Sequence, residues 1–302
     1  MNSSAPPPAA DAFEDDDLDP EDSLPRMTLS EHLDELRRRL VRAVLAIVVG
    51  MVIAFVFHKA LFQLAVDPFE QAMREVGGDG KIQSISPLEL FLEIMKLAFL
   101  TSLVATSPYV LWQMWGFIAA GLYPSERKAV RTFFPISVAL FALGCATAFL
   151  MILPIGMRFL LSFGRNLGVA NNFSVGPYLS LCISLLLGMG FAFELPLVML
   201  FLQATGIVER ETFHKGWRIA VLSAFVLGMV LTPDPTPVSQ ILMAAPLVGL
   251  YFLGVWGGRF VGEAAEKLTV WKAWPLALTL ALFGALFFFR HHLQAAASSL
   301  FS

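Results

Sequence analysis

Glu31-His32-Leu33-Asp34-Glu35-Leu36-Arg37-Arg38-Arg39-Leu40 contains neither glycine nor proline and runs straight on towards an apolar stretch at 43–57. A charged amphipathic helix joined to a membrane span does two things. Its arginines hold that end on one side of the bilayer, and its carboxylates stand at the surface, where a cation can be read. Thr28-Leu29-Ser30-Glu31 is a capping box and starts the helix near residue 28. From there Leu29, Leu33, Leu36 and Leu40 fall on one face, with Glu35 elsewhere near the surface. Two readings of Glu35 stay open: a local pair with Arg39 one turn on, worth a few tenths of a kcal/mol, or a carboxylate that receives a ligand. The local pair is a sufficient account of Asp34 with Arg38.

Composition points the same way along the whole chain. Of 302 residues, 57% are hydrophobic and 15% charged, and soluble domains of this size rarely drop so low in charge. Charge is absent from windows at 97–125, 132–157, 166–193, 219–233 and 235–258. About 20 apolar residues of helix cross a hydrocarbon core of about 30 Å. The fold class is therefore an all-α polytopic membrane protein. Spans are expected near 41–58, 96–121, 132–155, 178–204, 218–232 and 238–257, with a seventh candidate at 273–289.

With the N-terminus inside, 14 of the Lys and Arg residues fall on the inner side and seven on the outer, which the positive-inside rule favours. Residues 1–25 carry eight acidic side chains and no Lys or Arg, so 1–26 reads as a disordered acidic tail. It has no basic start or apolar core, and no cleaved leader is expected. Cys145 and Cys182 lie inside apolar runs and read as small core residues, neither a disulfide nor a metal site.

Thr232-Pro233-Asp234-Pro235-Thr236-Pro237 joins the fifth and sixth spans by a stiff turn. The fifth span is short for a full crossing: either local bilayer thinning or partner subunits accommodate it, or flanking polar residues extend the helix. Residues 58–95 read as the longest loop, with a turn at Gly77-Gly78-Asp79-Gly80 and an interfacial helix starting after Ser86-Pro87.

Glu194 stands apart. It has 28 uncharged residues before it and 14 after, and an ionised carboxylate at that depth costs at least ~2.5–3.5 kcal/mol on insertion scales. Pro196 frees a backbone carbonyl nearby. A functional group and a protonated, hydrogen-bonded acid are both admissible readings, with Gln240 as a candidate partner. Glu126, in Gly121-Leu122-Tyr123-Pro124-Ser125-Glu126-Arg127-Lys128, has basic neighbours and reads equally as a local pair. The histidines have no ligand spacing, and no phosphate loop or catalytic triad is visible, so no catalytic residue, metal or cofactor is expected.

Taken together, several segments resemble the TatC family, the multi-spanning receptor subunit of the twin-arginine protein translocase. They are His32-Leu33-Asp34-Glu35-Leu36-Arg37-Arg38-Arg39, Asp67-Pro68, the run from Ser107-Pro108-Tyr109 to Trp115-Gly116-Phe117-Ile118, Gly121 to Arg127, Phe191-Ala192-Phe193-Glu194-Leu195-Pro196, and Leu231-Thr232-Pro233 followed by Ser239-Gln240. They occur in the family's order over residues 27 to about 260. The resemblance implies a cup-shaped six-span domain (27–258) in the bacterial inner membrane with a cytoplasmic N-terminus. It implies binding of signal peptides with paired arginines, and export of folded proteins driven by the proton gradient. By position, Glu35 and Glu126 would receive the two arginines, with Arg37, Phe117 and Pro68 in the same site. Glu194 and Gln240 would meet the single-span TatA and TatB subunits, and other copies of the chain and membrane lipids would be partners, nucleic acid not. The acidic tail, the length of the turn around Asp234 and the segment 259–302 depart from the family's pattern. The rival readings are an ion-coupled transporter using Glu194, which the absence of an internal repeat disfavours, and a structural scaffold.

Overall fold

The structure, a computed structural model, describes residues 29–75, 82–83, 86–122, 127–166, 174–231 and 237–264. The acidic tail, Glu126, Asp234 and the candidate seventh span lie outside them. The helices are α1 (Leu29–Val56), α2 (His58–Glu75), α3 (Pro87–Ala120), α4 (Arg127–Thr147), a π-helical turn (Ala148–Ile152), α5 (Leu153–Asn166), α6 (Val175–Ala192), α7 (Leu195–Ala204), α8 (Arg210–Lys215), α9 (Trp217–Leu231) and α10 (Pro237–Ala264). Each of the six expected spans falls largely on helix over its described residues, the fourth with a break at Phe193 and Glu194. Three stretches, Ser30–Val56, Phe133–Gly164 and Val175–Ala204, are long and apolar enough to cross a membrane by themselves, while Trp217–Met229 and Met243–Gly258 are shorter.

Direction follows from contacts. The end of the bundle where α1 begins is called proximal. α1 and α3 run antiparallel: Ser102 Oγ donates to the Ile47 carbonyl at 2.5 Å, and His32 stacks on Phe117. α4 and α6 are likewise antiparallel, joined by Ser137 to Glu194 and by Cys145 to the Leu186 carbonyl. In lipid, apolar side chains gain little by leaving one apolar medium for another, so such bonds and close packing hold spans together. Trp115, Phe133 and Phe201 lock α3, α4 and α7: the first two stack with centroids 5.8 Å apart, and Phe201 meets both edge-on.

Two segments differ from the sequence expectation. Residues 58–75 form a helix, not loop. Ala65, Val66, Pro68, Phe69, Ala72 and Met73 make its buried face, and Tyr178 donates to the Ala65 carbonyl at 2.6 Å. That apolar spacing was present in the sequence, but the polar residues between hid it from a search for spans. At Ser86-Pro87, α3 starts and continues unbroken for 34 residues, so the interfacial helix and the second span are one element. Glu89 and Glu93 on its first turns hold the start of α6: Ser174 Oγ reaches Glu89 at 3.1 Å and Ser180 Oγ reaches Glu93 at 3.4 Å. Both cysteines are buried and free.

Candidate functional site

The proximal end is built by the first three turns of α1 against the last turns of α3. His32, Glu35 and Arg39 recur at steps of three and four, which puts them on one helical face. That face meets α3. His32 stacks on Phe117 with ring centroids 4.4 Å apart and planes 25° from parallel. Arg39 Nε and Nη2 both donate to Glu35 Oε1 at 2.6 Å. The guanidinium lies against Gly116, Nη1 nearest: a Cβ there would fall 2.0 Å from Arg39 Nη1. Gly116 is thus where α3 makes room for a charged group.

The leucine stripe behaves in the opposite way. Leu33, Leu36 and Leu40 are exposed, at 55%, 39% and 58%, so the polar face is the one packed on protein. A membrane reverses the usual bookkeeping, since lipid and interface accept the apolar face and protein shelters the polar one.

Of the residues assigned to peptide binding, the structure joins Glu35 and Phe117 in this patch. Arg37 is exposed and stands about 200° round the helix from Glu35 at 100° per residue. Pro68 is buried in α2, beyond the distal end of α1, and the helix from Glu35 to Val56 already covers about 31 Å. Glu126 is outside the described residues. Arg39, His32 and Gly116 complete the patch and were passed over as a local pair, a lone histidine and a motif glycine. The signal for His32 and Arg39 is the 32–35–39 spacing; Gly116 has none in the sequence of α1.

A second polar site lies deep in the bundle. The fourth span breaks between α6 and α7, where Phe193 and Glu194 leave the helix and Pro196 opens α7. Glu194 is buried. Ser137 of α4 donates to its Oε2 at 2.8 Å, and Oε1 is buried without a hydrogen-bond partner among the described residues. Gln240 donates instead to the Phe225 carbonyl of α9 at 3.3 Å. The pairing expected between Gln240 and Glu194 is therefore replaced by Ser137, because the proximity of α4 and α6 decides it and sequence spacing does not. No group of three or more His, Cys, Asp or Glu suited to a metal occurs among the described residues.

Residues 31–246 match the family model described as Sec-independent protein translocase protein (TatC). The Sec-independent protein translocase protein TatC of Carboxydothermus hydrogenoformans is 35% identical over 78% of this chain and 94% of its own length. That of Aquifex aeolicus is 34% identical over 80% of this chain and 99% of its own. A crystal structure of the twin-arginine translocase receptor TatC superposes with a TM-score of 0.69 at 33% identity, covering 77% of this chain and all of the other.

Proposed function

This chain belongs to the TatC family, and on that premise we propose that it is the receptor that binds paired-arginine signal peptides at the cytoplasmic face and nucleates a translocase for folded proteins. The proximal end is the cytoplasmic end in this reading, as the excess of Lys and Arg on that side supports. The observation that carries it is Glu35, a carboxylate at the membrane surface already holding a guanidinium against a glycine notch. A site that binds Arg39 side-on has the shape for an incoming arginine. Guanidinium forks pair bidentately with carboxylates, which an ammonium cannot reproduce.

Glu126 supplies the second carboxylate. It precedes Arg127 at the start of α4 and follows by five residues Gly121, where a Cβ would lie 3.3 Å from His32 Cε1. The short tether keeps it within about 18 Å of that glycine. Two carboxylates at one end select two arginines and reject a lone cation. Phe117 offers a ring face for cation–π contact beside them. Arg37 adds positive charge at the rim for the anionic headgroup layer, and Pro68 belongs to the distal scaffold.

Glu194, with one oxygen unpaired among the described residues, is the intramembrane contact for the single-span TatA and TatB subunits. Gln240 tightens the α9–α10 seam nearby. Transport draws on the proton gradient in this reading, as membership of the family implies. The deciding experiment is site-specific crosslinking from positions 35 and 126 to a paired-arginine signal peptide in membranes. Adducts at both positions, lost when the arginines become lysines, are the expected result. Undiminished binding and export by a Glu35→Gln, Glu126→Gln chain would refute it.

A further inference from the structure

α8, the start of α9 and the last turns of α10 enclose a cleft of about 410 Å³ at the proximal end, lined by Phe213, His214, Trp217, Phe252 and Val255. That volume lies within the roughly 300–1,000 Å³ range of small-molecule sites. Tyr251 ties α10 to α8, its hydroxyl donating to the Phe213 carbonyl. Phe252 and Val255 come from the uncharged window 235–258, and Arg259 is the first charge after it. Trp217 opens α9 and is followed at once by Arg218. The cleft therefore straddles the boundary between hydrocarbon and headgroups, the level at which Trp rings and basic residues gather.

Charge around this boundary is uneven. Arg218 Cζ stands 5.7 Å from the centroid of the Trp217 ring. Arg218 is exposed, with no hydrogen bond or ion pair among the described residues. On α8, Arg210 precedes Phe213 and His214 by three and four residues, on the helical face that lines the cleft. Glu211 and Lys215 pair with each other at 3.1 Å and lie about 160° round the helix from Phe213, on its other side. On α10, Arg259 follows Val255 by four residues, again on the cleft's face. Three elements thus each place an arginine position at the cleft, while the one carboxylate of α8 is engaged elsewhere.

We propose that this cleft binds one anionic phospholipid of the proximal leaflet, with an acyl chain against Trp217, Phe252 and Val255 and the phosphate on Arg218. A phospholipid matches both halves of the site, an apolar tail joined to an anionic head at the interface. A free anion would leave the apolar walls unfilled. The ring contact leaves the guanidinium's N–H donors open to a phosphate, which they grip as a fork. Basic pockets between spans on the cytoplasmic side take acidic headgroups by the same chemistry. A zwitterionic lipid carries the same phosphate, but its ammonium group meets an edge already rich in arginine. The bound lipid fixes the depth at which the short α9 begins. The site is built from other helices than the Glu35 patch and does not rest on the peptide-binding reading.

The test is native mass spectrometry of the full-length chain released from nanodiscs of equal phosphatidylglycerol and phosphatidylethanolamine. The unaltered chain should retain phosphatidylglycerol about fivefold over phosphatidylethanolamine, the factor that one basic residue gains at an anionic surface. Arg218→Gln should bring the two lipids close to parity. Lys215→Gln, on the far side of α8, should leave the ratio unchanged; an equal loss would assign the preference to surface charge at large and overturn the site. Equal retention of both lipids by the unaltered chain overturns it too. So does displacement of the lipid by glycerol phosphate, which would assign the arginines to a soluble anion. Location is read without any substitution: a photoactivatable phosphatidylglycerol in the same nanodiscs should label peptides containing Phe213–Arg218 or Phe252–Val255 several-fold above the other helices. Even labelling along the chain overturns the proposal.

Discussion

Glu35 and Glu194 are both carboxylates on membrane helices, held in opposite ways. Glu35 lies at the proximal surface, about a quarter exposed, with Arg39 of its own helix as partner. Glu194 lies where α6 breaks into α7, with one serine from another helix on one oxygen and no hydrogen-bond partner for the other among the described residues. The surface pair is worth a few tenths of a kcal/mol, so a ligand can exchange into it at little cost. The buried group is expensive to leave unpaired, so its environment is part of the fold. A receptor site wants the first condition, and a contact that responds only to another span wants the second.

The comparison breaks hardest if the two carboxylates turn out to do one job. Replacing Glu35 and Glu126 together by Gln removes charge-assisted bonds worth about 1.5–3 kcal/mol each. Each single change should weaken binding of a fluorescent paired-arginine peptide by about ten- to a hundredfold, and the double change should abolish it. Glu194→Gln should leave that affinity unchanged; an equal loss would erase the distinction. Next in size is Ser137→Ala. It strands both oxygens of Glu194 and should lower unfolding stability in detergent by about 1–3 kcal/mol. Adding Glu194→Gln should recover part of the loss, since residues in contact are not additive.

Smaller effects sharpen the surface half. Arg39→Gln should cost only about 0.3–0.5 kcal/mol of stability. It should tighten peptide binding, measured by anisotropy, because an incoming guanidinium no longer displaces one already bound. Weaker binding would mean that Arg39 organises Glu35 and does not compete for it. Gly116→Ala is the mildest change. The clash falls on the mobile end of Arg39, so stability should move by less than about 0.5 kcal/mol while affinity shifts in the direction of Arg39→Gln.

What the sequence disclosed follows the same division. The spans were legible because a bilayer excludes charge over long windows, and that rule needs no tertiary knowledge. The Glu35–Arg39 pair was legible because helix geometry alone makes it. His32 on Phe117 was not, being set by how α1 lies on α3, 85 residues away. Ser137 was equally hidden from a reading that looked along the chain for a partner of Glu194 and chose Gln240. The leucines of α1 misled in a different sense: their spacing announced a helix correctly, but the apolar face of a membrane helix need not be the one turned to protein. α2 was lost to the search for spans, because an amphipathic helix at the membrane edge passes for loop when only long apolar runs are counted.

The unequal lengths of α3 and α9 have an electrical meaning. α3 has 34 residues and α9 only 15, about 51 Å against about 22 Å of helix. Where the hydrocarbon adjusts to the shorter helix, any voltage across the bilayer drops over about 22 Å in place of about 30 Å. The field beside α9 is then roughly a third steeper than in the surrounding membrane. A charge carried past that flank does the same total work, but over a shorter path and against a larger force.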